Sequence, residues 1–182
     1  MNDKFKLTSN KKNGLYQIQA LKDFGSVRKG ELGGYIEKEE NLSVFGNAWV
    51  YGNAQVYGNA RVSGNARVSG NARVYGDARV FDNAWVFDDA WVYGNAWVSD
   101  DARVYGNARV YGDAWVYGKL KLEAGLFFGI KWKGETIQEV EIEDGNYLIY
   151  KGEAKFGVDE PDDATTQAIE LLKKNGYKIV KE

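Results

Sequence analysis

Residues 48–119 read AWVYGN AQVYGN ARVSGN ARVSGN ARVYGD ARVFDN AWVFDD AWVYGN AWVSDD ARVYGN ARVYGD AWVYGK, a six-residue unit repeated without a slip. The period runs from Phe45 to Gly118, with Ala opening the unit at twelve positions from 48 to 114 and Val two residues later each time. Ala-x-Val-x alternates small apolar with large polar or aromatic residues, the period-two pattern of a short strand, here four residues, with one buried face. The Gly-Asn, Gly-Asp, Asp-Asn or Asp-Asp pair that follows tolerates positive φ and predicts a corner. An antiparallel meander would leave a continuous Ala/Val face in water and strands too short to hold register. Coiling the chain with three units per triangular turn buries every Ala and Val and sends every x outward, so a solenoid is the expected architecture.

The run Val-Tyr-Gly-Asn-Ala-Arg resembles the hexapeptide repeat of left-handed parallel β-helix proteins. The handedness is implied by that resemblance alone, because the general crossover rule favours right-handed connections. Upstream, Ala20 to Glu37 (ALKDFGSVRKGELGGYIE) followed by Glu40-Asn-Leu-Ser is similar to the N-terminal cap of hexapeptide-repeat proteins common in phage and prophage genomes. The resemblance implies a phage or prophage setting, a mainly β chain with small caps, and assembly as a homotrimer. It implies no established activity.

The expected domains are an N-terminal β cap over 1–44, the repeat β-helix over 45–118 and a C-terminal α+β module over 119–182. In the cap, residues 4–9 and 15–20 read as strands about the turn Lys12-Asn13-Gly14, and Gly33-Gly34 reads as a further turn. In the tail, residues 126–132, 138–142, 147–150 and 177–180 read as strands. Residues 162–175 read as a helix, with Pro161 and acidic residues at its start and Gly176 past its end.

Composition removes several functions. The chain of 182 residues carries 24 basic and 26 acidic side chains, net −2, which lacks the positive excess that binding to long nucleic acid or an anionic membrane requires. Cys and His are both absent, so there is no disulfide, thiol nucleophile or thiolate metal site, no imidazole base and no imidazole ligand. The opening MNDKFKLTSNKKNG has no apolar core of a signal peptide, and no apolar run approaches the roughly 20 residues of a membrane span. The expected location is the cytoplasm of a bacterial host, and no cofactor or metal is expected.

Three units per turn sort the outward residues into columns. The first face carries Gln55 and Tyr57, Arg73 and Tyr75, Trp91 and Tyr93, Arg109 and Tyr111. The second carries Trp49 and Tyr51, Arg67 and Ser69, Trp85 and Phe87, Arg103 and Tyr105. The third carries Arg61 and Ser63, Arg79 and Phe81, Trp97 and Ser99, Trp115 and Tyr117. Five of the six Trp residues thus point outward. Such density of Trp, Tyr and Arg suits a contact surface. The candidate binding residues are Tyr57, Arg73, Tyr75, Trp91, Tyr93, Arg109 and Tyr111 on the first face, with Arg61, Arg79, Trp97 and Trp115 on the third. The competing reading is same-face packing and cation–π support of a β surface.

Asp82, Asp88 and Asp100 stand where Gly usually opens the corner. A calcium site there is the sharper reading, and solvated corner residues the plainer one. Stacked Asn residues, at 47, 65 and 83 and at 53 and 71, read as structural ladders. Hexapeptide β-helices include acyltransferases whose base is a His, which this chain lacks. Glu37, Glu39, Glu40, Glu141 and Glu143 are the carboxylates left to substitute, and they read as solvated charges. The expectation is a non-catalytic binding protein, acting in counter-defence by occluding a host immunity protein or by sequestering a nucleotide or other small phosphorylated ligand between subunits. A structural virion or tail component and an atypical acyltransferase are the alternatives.

Overall fold

The computed structural model describes residues 2–129. The chain divides into two compact units, 1–131 and 132–182. The expected tail strands past residue 129 and the helix at 162–175 lie outside the described residues.

The repeat coils into a parallel β-solenoid whose successive turns pair at a spacing of 18 residues, Trp49 opposite Arg67, Arg67 opposite Trp85 and Trp85 opposite Arg103. Three sheets form. One stacks Gln55–Val56, Arg73–Val74, Trp91–Val92, Arg109–Gly112 and Leu126–Gly129; a second stacks Trp49–Val50, Arg67–Val68, Trp85–Val86, Arg103–Val104 and Lys121–Leu122; a third stacks Arg61–Val62, Arg79–Val80, Trp97–Val98 and Trp115–Val116. The regular strands are mostly two residues long rather than the four expected. The corner bends the chain before a third pair can form, yet flanking residues continue the ladder, as in Tyr51 N–H to Val68 C=O at 2.7 Å.

Every Ala and Val of the repeat is buried. Each Val so enclosed contributes about 1.5 kcal/mol or more, and Ala leaves room for the facing Val within a narrow triangular core. The corners take φ between 56° and 71° at glycines such as Gly70 (68°) and at Asp82, Asp88 and Asp100. Gly70 answers to space as well as torsion, since an added Cβ would lie 2.7 Å from the Asp88 backbone nitrogen one turn on.

The N-terminal segment closes one end. Strands β1 (Phe5–Lys12) and β2 (Leu15–Ala20) form an antiparallel hairpin about Asn13 and Gly14, both at positive φ. Strand β3 (Leu32–Ile36) pairs antiparallel with β2 and parallel with Gln55–Val56, so the hairpin extends the first sheet. Gly33 and Gly34 therefore lie in a strand and not in a turn. A Cβ on Gly33 would meet Ile18 and the Val50 carbonyl at 2.6 Å, and one on Gly34 the Ala54 carbonyl at 2.7 Å, so these glycines let the cap seat on the coil. On the third side a 3-10 turn, Glu39–Asn41, replaces the first strand. Buried Asn41 donates to the carbonyls of Gly58 and Ala60, and Leu42 bridges to Val62.

Trp49 departs from the outward expectation. It is fully buried, with Phe5 and Phe24 edge-on to it at 6.3 and 5.3 Å, because residues of the cap fold over this corner of the second face. Beyond Gly118 the coil continues through Lys121–Leu122, and Leu126 pairs with Arg109 at a spacing of 17 rather than 18. That one-residue contraction brings Phe127 opposite Val110 and Phe128 opposite Tyr111.

Candidate aromatic binding surface

The parallel register puts like positions directly above one another, and the strand spacing of about 4.8 Å is close to the stacking distance of flat rings. On the first face Tyr57, Tyr75, Tyr93 and Tyr111 stack at 5.0, 5.0 and 5.1 Å with planes within 5° of parallel. Phe128 adds a tilted ring at 5.8 Å. Beside this ladder Trp91 lies between the guanidinium groups of Arg73 (5.0 Å) and Arg109 (4.7 Å). Burial pushes the hydroxyls of Tyr57, Tyr75 and Tyr111 above the usual phenol range, and for Tyr75 the flanking Tyr57 and Tyr93 add to the rise. These three hydroxyls therefore stay uncharged and offer O–H groups through the neutral range.

The third face brings Trp97 and Trp115 together in a stack at 4.8 Å, with Arg79 over Trp97 at 5.0 Å and Phe81 edge-on to it. Arg61 stands in register with Arg79. The second face repeats the scheme with Trp85 between Arg67 and Arg103 and with Phe87 stacked on Tyr105. All eleven expected binding residues thus fall on two of the three outer faces, seven on the first and four on the third. What the spacing alone did not reveal is that ring faces inside the columns are covered by neighbours. Ring edges, hydroxyls and guanidinium groups are what the surface presents.

Two of the three corner carboxylates, Asp88 and Asp100, are engaged with the backbone, and the neighbouring Asp89 and Asp101 with the ladders. Asp88 accepts from Gly106 N–H and Asp100 from Gly118 N–H at 2.9 Å, while Asn83 donates to Asp101 at the end of the Asn47, Asn65, Asn83 series. Asn71 donates to Asp89, and Asn53 accepts from Lys12. No cluster of three ligating side chains forms among the described residues. Glu37 accepts from Gly58 N–H and Glu39 from the Asn2 amide, so both are occupied in closing the capped end.

A family model for the YdcK β-solenoid repeat matches the chain at residues 54–70, 60–74, 66–80, 72–87 and 102–118. The chain is a β-solenoid repeat protein. The matched windows fall on the Ala-x-Val coil and leave the cap, residues 1–44, outside them. No curated protein matches the chain. No helix of the described residues is long and apolar enough to cross a membrane.

Proposed function

We propose that this β-solenoid is a non-catalytic, phage- or prophage-encoded binding protein, a left-handed coil assembled as a homotrimer that acts in counter-defence by occluding a host immunity protein. The observation that carries the reading is the pre-stacked tyrosine ladder from Tyr57 to Tyr111 with Trp91 clamped between Arg73 and Arg109. Side chains held this way lose little rotamer freedom on association, and Tyr, Trp and Arg are the residues that dominate contact energetics. Because the ring faces inside the ladder are consumed by one another, the ladder itself suits an edge-on protein contact better than intercalating bases. The absence of His and Cys, together with the hydrogen bonds that engage Glu37, Asp88 and Asp100 with backbone N–H groups and Glu39 with the Asn2 side chain, supports the non-catalytic part. The phage setting, the handedness and the trimer rest on the likeness of the cap and repeat to that group of proteins.

Native mass spectrometry of the protein isolated from an infected lysate tests this, with a Tyr75/Tyr93/Tyr111→Ser variant as control. The expected result is a trimer carrying a stoichiometric host protein that the variant lacks. A bare monomer in both samples would overturn the proposal, and recovery in purified virions would move the protein to the structural alternative.

A further inference from the structure

The second face carries an aromatic column with one rung replaced. Tyr51, Ser69, Phe87 and Tyr105 occupy equivalent positions on successive turns, each N–H reaching the carbonyl one turn on. Phe87 stacks on Tyr105 at 4.9 Å, and on its other side the next rung is Ser69, which ends at a hydroxyl. Two turns span about 10 Å, so the backbone positions of Tyr51 and Phe87 stand apart by the distance that a single inserted ring fills elsewhere in the coil. On the first face Tyr75 fills the equivalent interval between Tyr57 and Tyr93, at 5.0 Å from each.

A depression of about 260 Å³ lies at this place, lined by Ser26, Tyr51, Arg67, Ser69, Trp85 and Phe87. Its rim is polar: the Ser26 and Tyr51 hydroxyls are 3.2 Å apart, and the Arg67 guanidinium lies over Trp85 at 5.1 Å. Sharing Ser26 and Arg67 with it is a second depression of about 480 Å³ that runs along the Asn47, Asn65 and Asn83 ladder. A slot at the missing rung therefore adjoins a polar trough, with the Arg67 cation at the boundary.

We propose that this pair of depressions binds a planar heteroaromatic ring carrying an anionic group, the chemistry of a nucleotide. The ring lies between Tyr51 and Phe87 over Ser69, and the anion pairs with Arg67 beside the asparagine amides. An aromatic protein side chain would use the slot and leave the guanidinium and the trough unmatched, whereas a phosphorylated heterocycle uses both. The site lies on the second face, away from the tyrosine ladder of the first, so it stands or falls independently of the protein-occluding role.

The test is calorimetric titration of the full chain with AMP, GMP, CMP and UMP, and with a short single-stranded oligonucleotide, for the parent and for Ser69→Tyr and Arg67→Gln. Ser69→Tyr supplies the missing rung. It is expected to raise the melting temperature while weakening binding about tenfold or more. Arg67→Gln is expected to weaken binding several-fold without closing the slot, and it carries the test should Ser69→Tyr not fold. Binding of the oligonucleotide alone, lost in Ser69→Tyr, would support the slot and assign its source to single-stranded nucleic acid. Affinity unchanged in both variants, or no binding of any probe, would overturn the proposal.

Discussion

Tyr75 and Tyr93 stack 5.0 Å apart with their planes 2° from parallel, although 18 residues separate them in the chain. The backbone ladder sets that distance, and the rings follow. Replacing Tyr75, Tyr93 and Tyr111 together by Ser removes two internal stacks and the contacts to Tyr57 and Phe128, yet leaves the Ala/Val core untouched. The expected outcome is an unchanged β signal in circular dichroism, a melting temperature lower by several degrees, since each stack is worth about 0.5–1.5 kcal/mol, and loss of subunit or partner association in native mass spectrometry. Association unchanged in the triple variant would remove the first face from consideration.

Val92 is fully buried and in register with Val74 and Val110. A carboxylate in its place has no partner inside an all-apolar core, at a cost of several kcal/mol, comparable with the whole stability margin. Val92→Asp should not accumulate as folded protein, whereas Val92→Ile should, and limited proteolysis of the two distinguishes them.

Trp49 is fully buried with its indole Nε1 unpartnered among the described residues. Its contribution is therefore shape and area against Phe5 and Phe24. Trp49→Phe, which gives up the orphaned N–H along with some volume, should cost far less than Trp49→Ala, for which about 3–5 kcal/mol is expected. Urea unfolding midpoints measure both; equal losses would mean that the N–H matters more than the packing.

Lys4 is buried, donates to the carbonyls of Ser43 and Ala48 at 2.9 Å and sits 4.7 Å from the centre of the Phe24 ring. Burial, with a smaller contribution from the Lys22 charge, lowers its pKa from 10.5 to about 8. Between those values the unfolded chain binds more protons than the native one, so this residue makes stability rise with pH across the window. Tyr57, Tyr75 and Tyr111 oppose it only as pH nears and passes 10, because their raised pKa values mean that the unfolded chain loses protons first. Denaturant titrations between about pH 7.5 and 9.5 should show a rising difference between the parent and Lys4→Met, whose uncharged side chain cannot titrate. A flat difference would place the Lys4 titration outside this range.

Gly34 lies in β3 with no room for a side chain, since an added Cβ would fall 2.7 Å from both the Ala54 carbonyl and Val50 Cγ1. Gly34→Ala should lift the cap from the coil and expose Trp49, read as a red shift in tryptophan emission and a loss of about 1–3 kcal/mol by the overpacking route. Gly30→Ala, where no atom lies within 4 Å, serves as the contrasting variant, subject only to its positive φ of 89°.

Much of this protein was legible residue by residue. The Ala-x-Val alternation and the Gly/Asp-Asn/Asp corners, repeated twelve times from Ala48 to Ala114, determined the coil, its buried residues and the three outer columns, because a strict period leaves only one arrangement that buries every unit against its own copies. The asparagine series at 47, 65 and 83 followed from the same register. Tertiary structure alone decided the rest. Trp49 obeys the outward pattern and is nevertheless enclosed, since Phe5 and Phe24 reach it from a segment whose position no local period encodes. The same cap brings Ser26 to Tyr51, turning a Ser in place of an aromatic at position 69 into a lined depression. Covered ring faces likewise emerge only when turns stack, because a column of tyrosines becomes a surface of edges at the spacing the backbone hydrogen bonds impose.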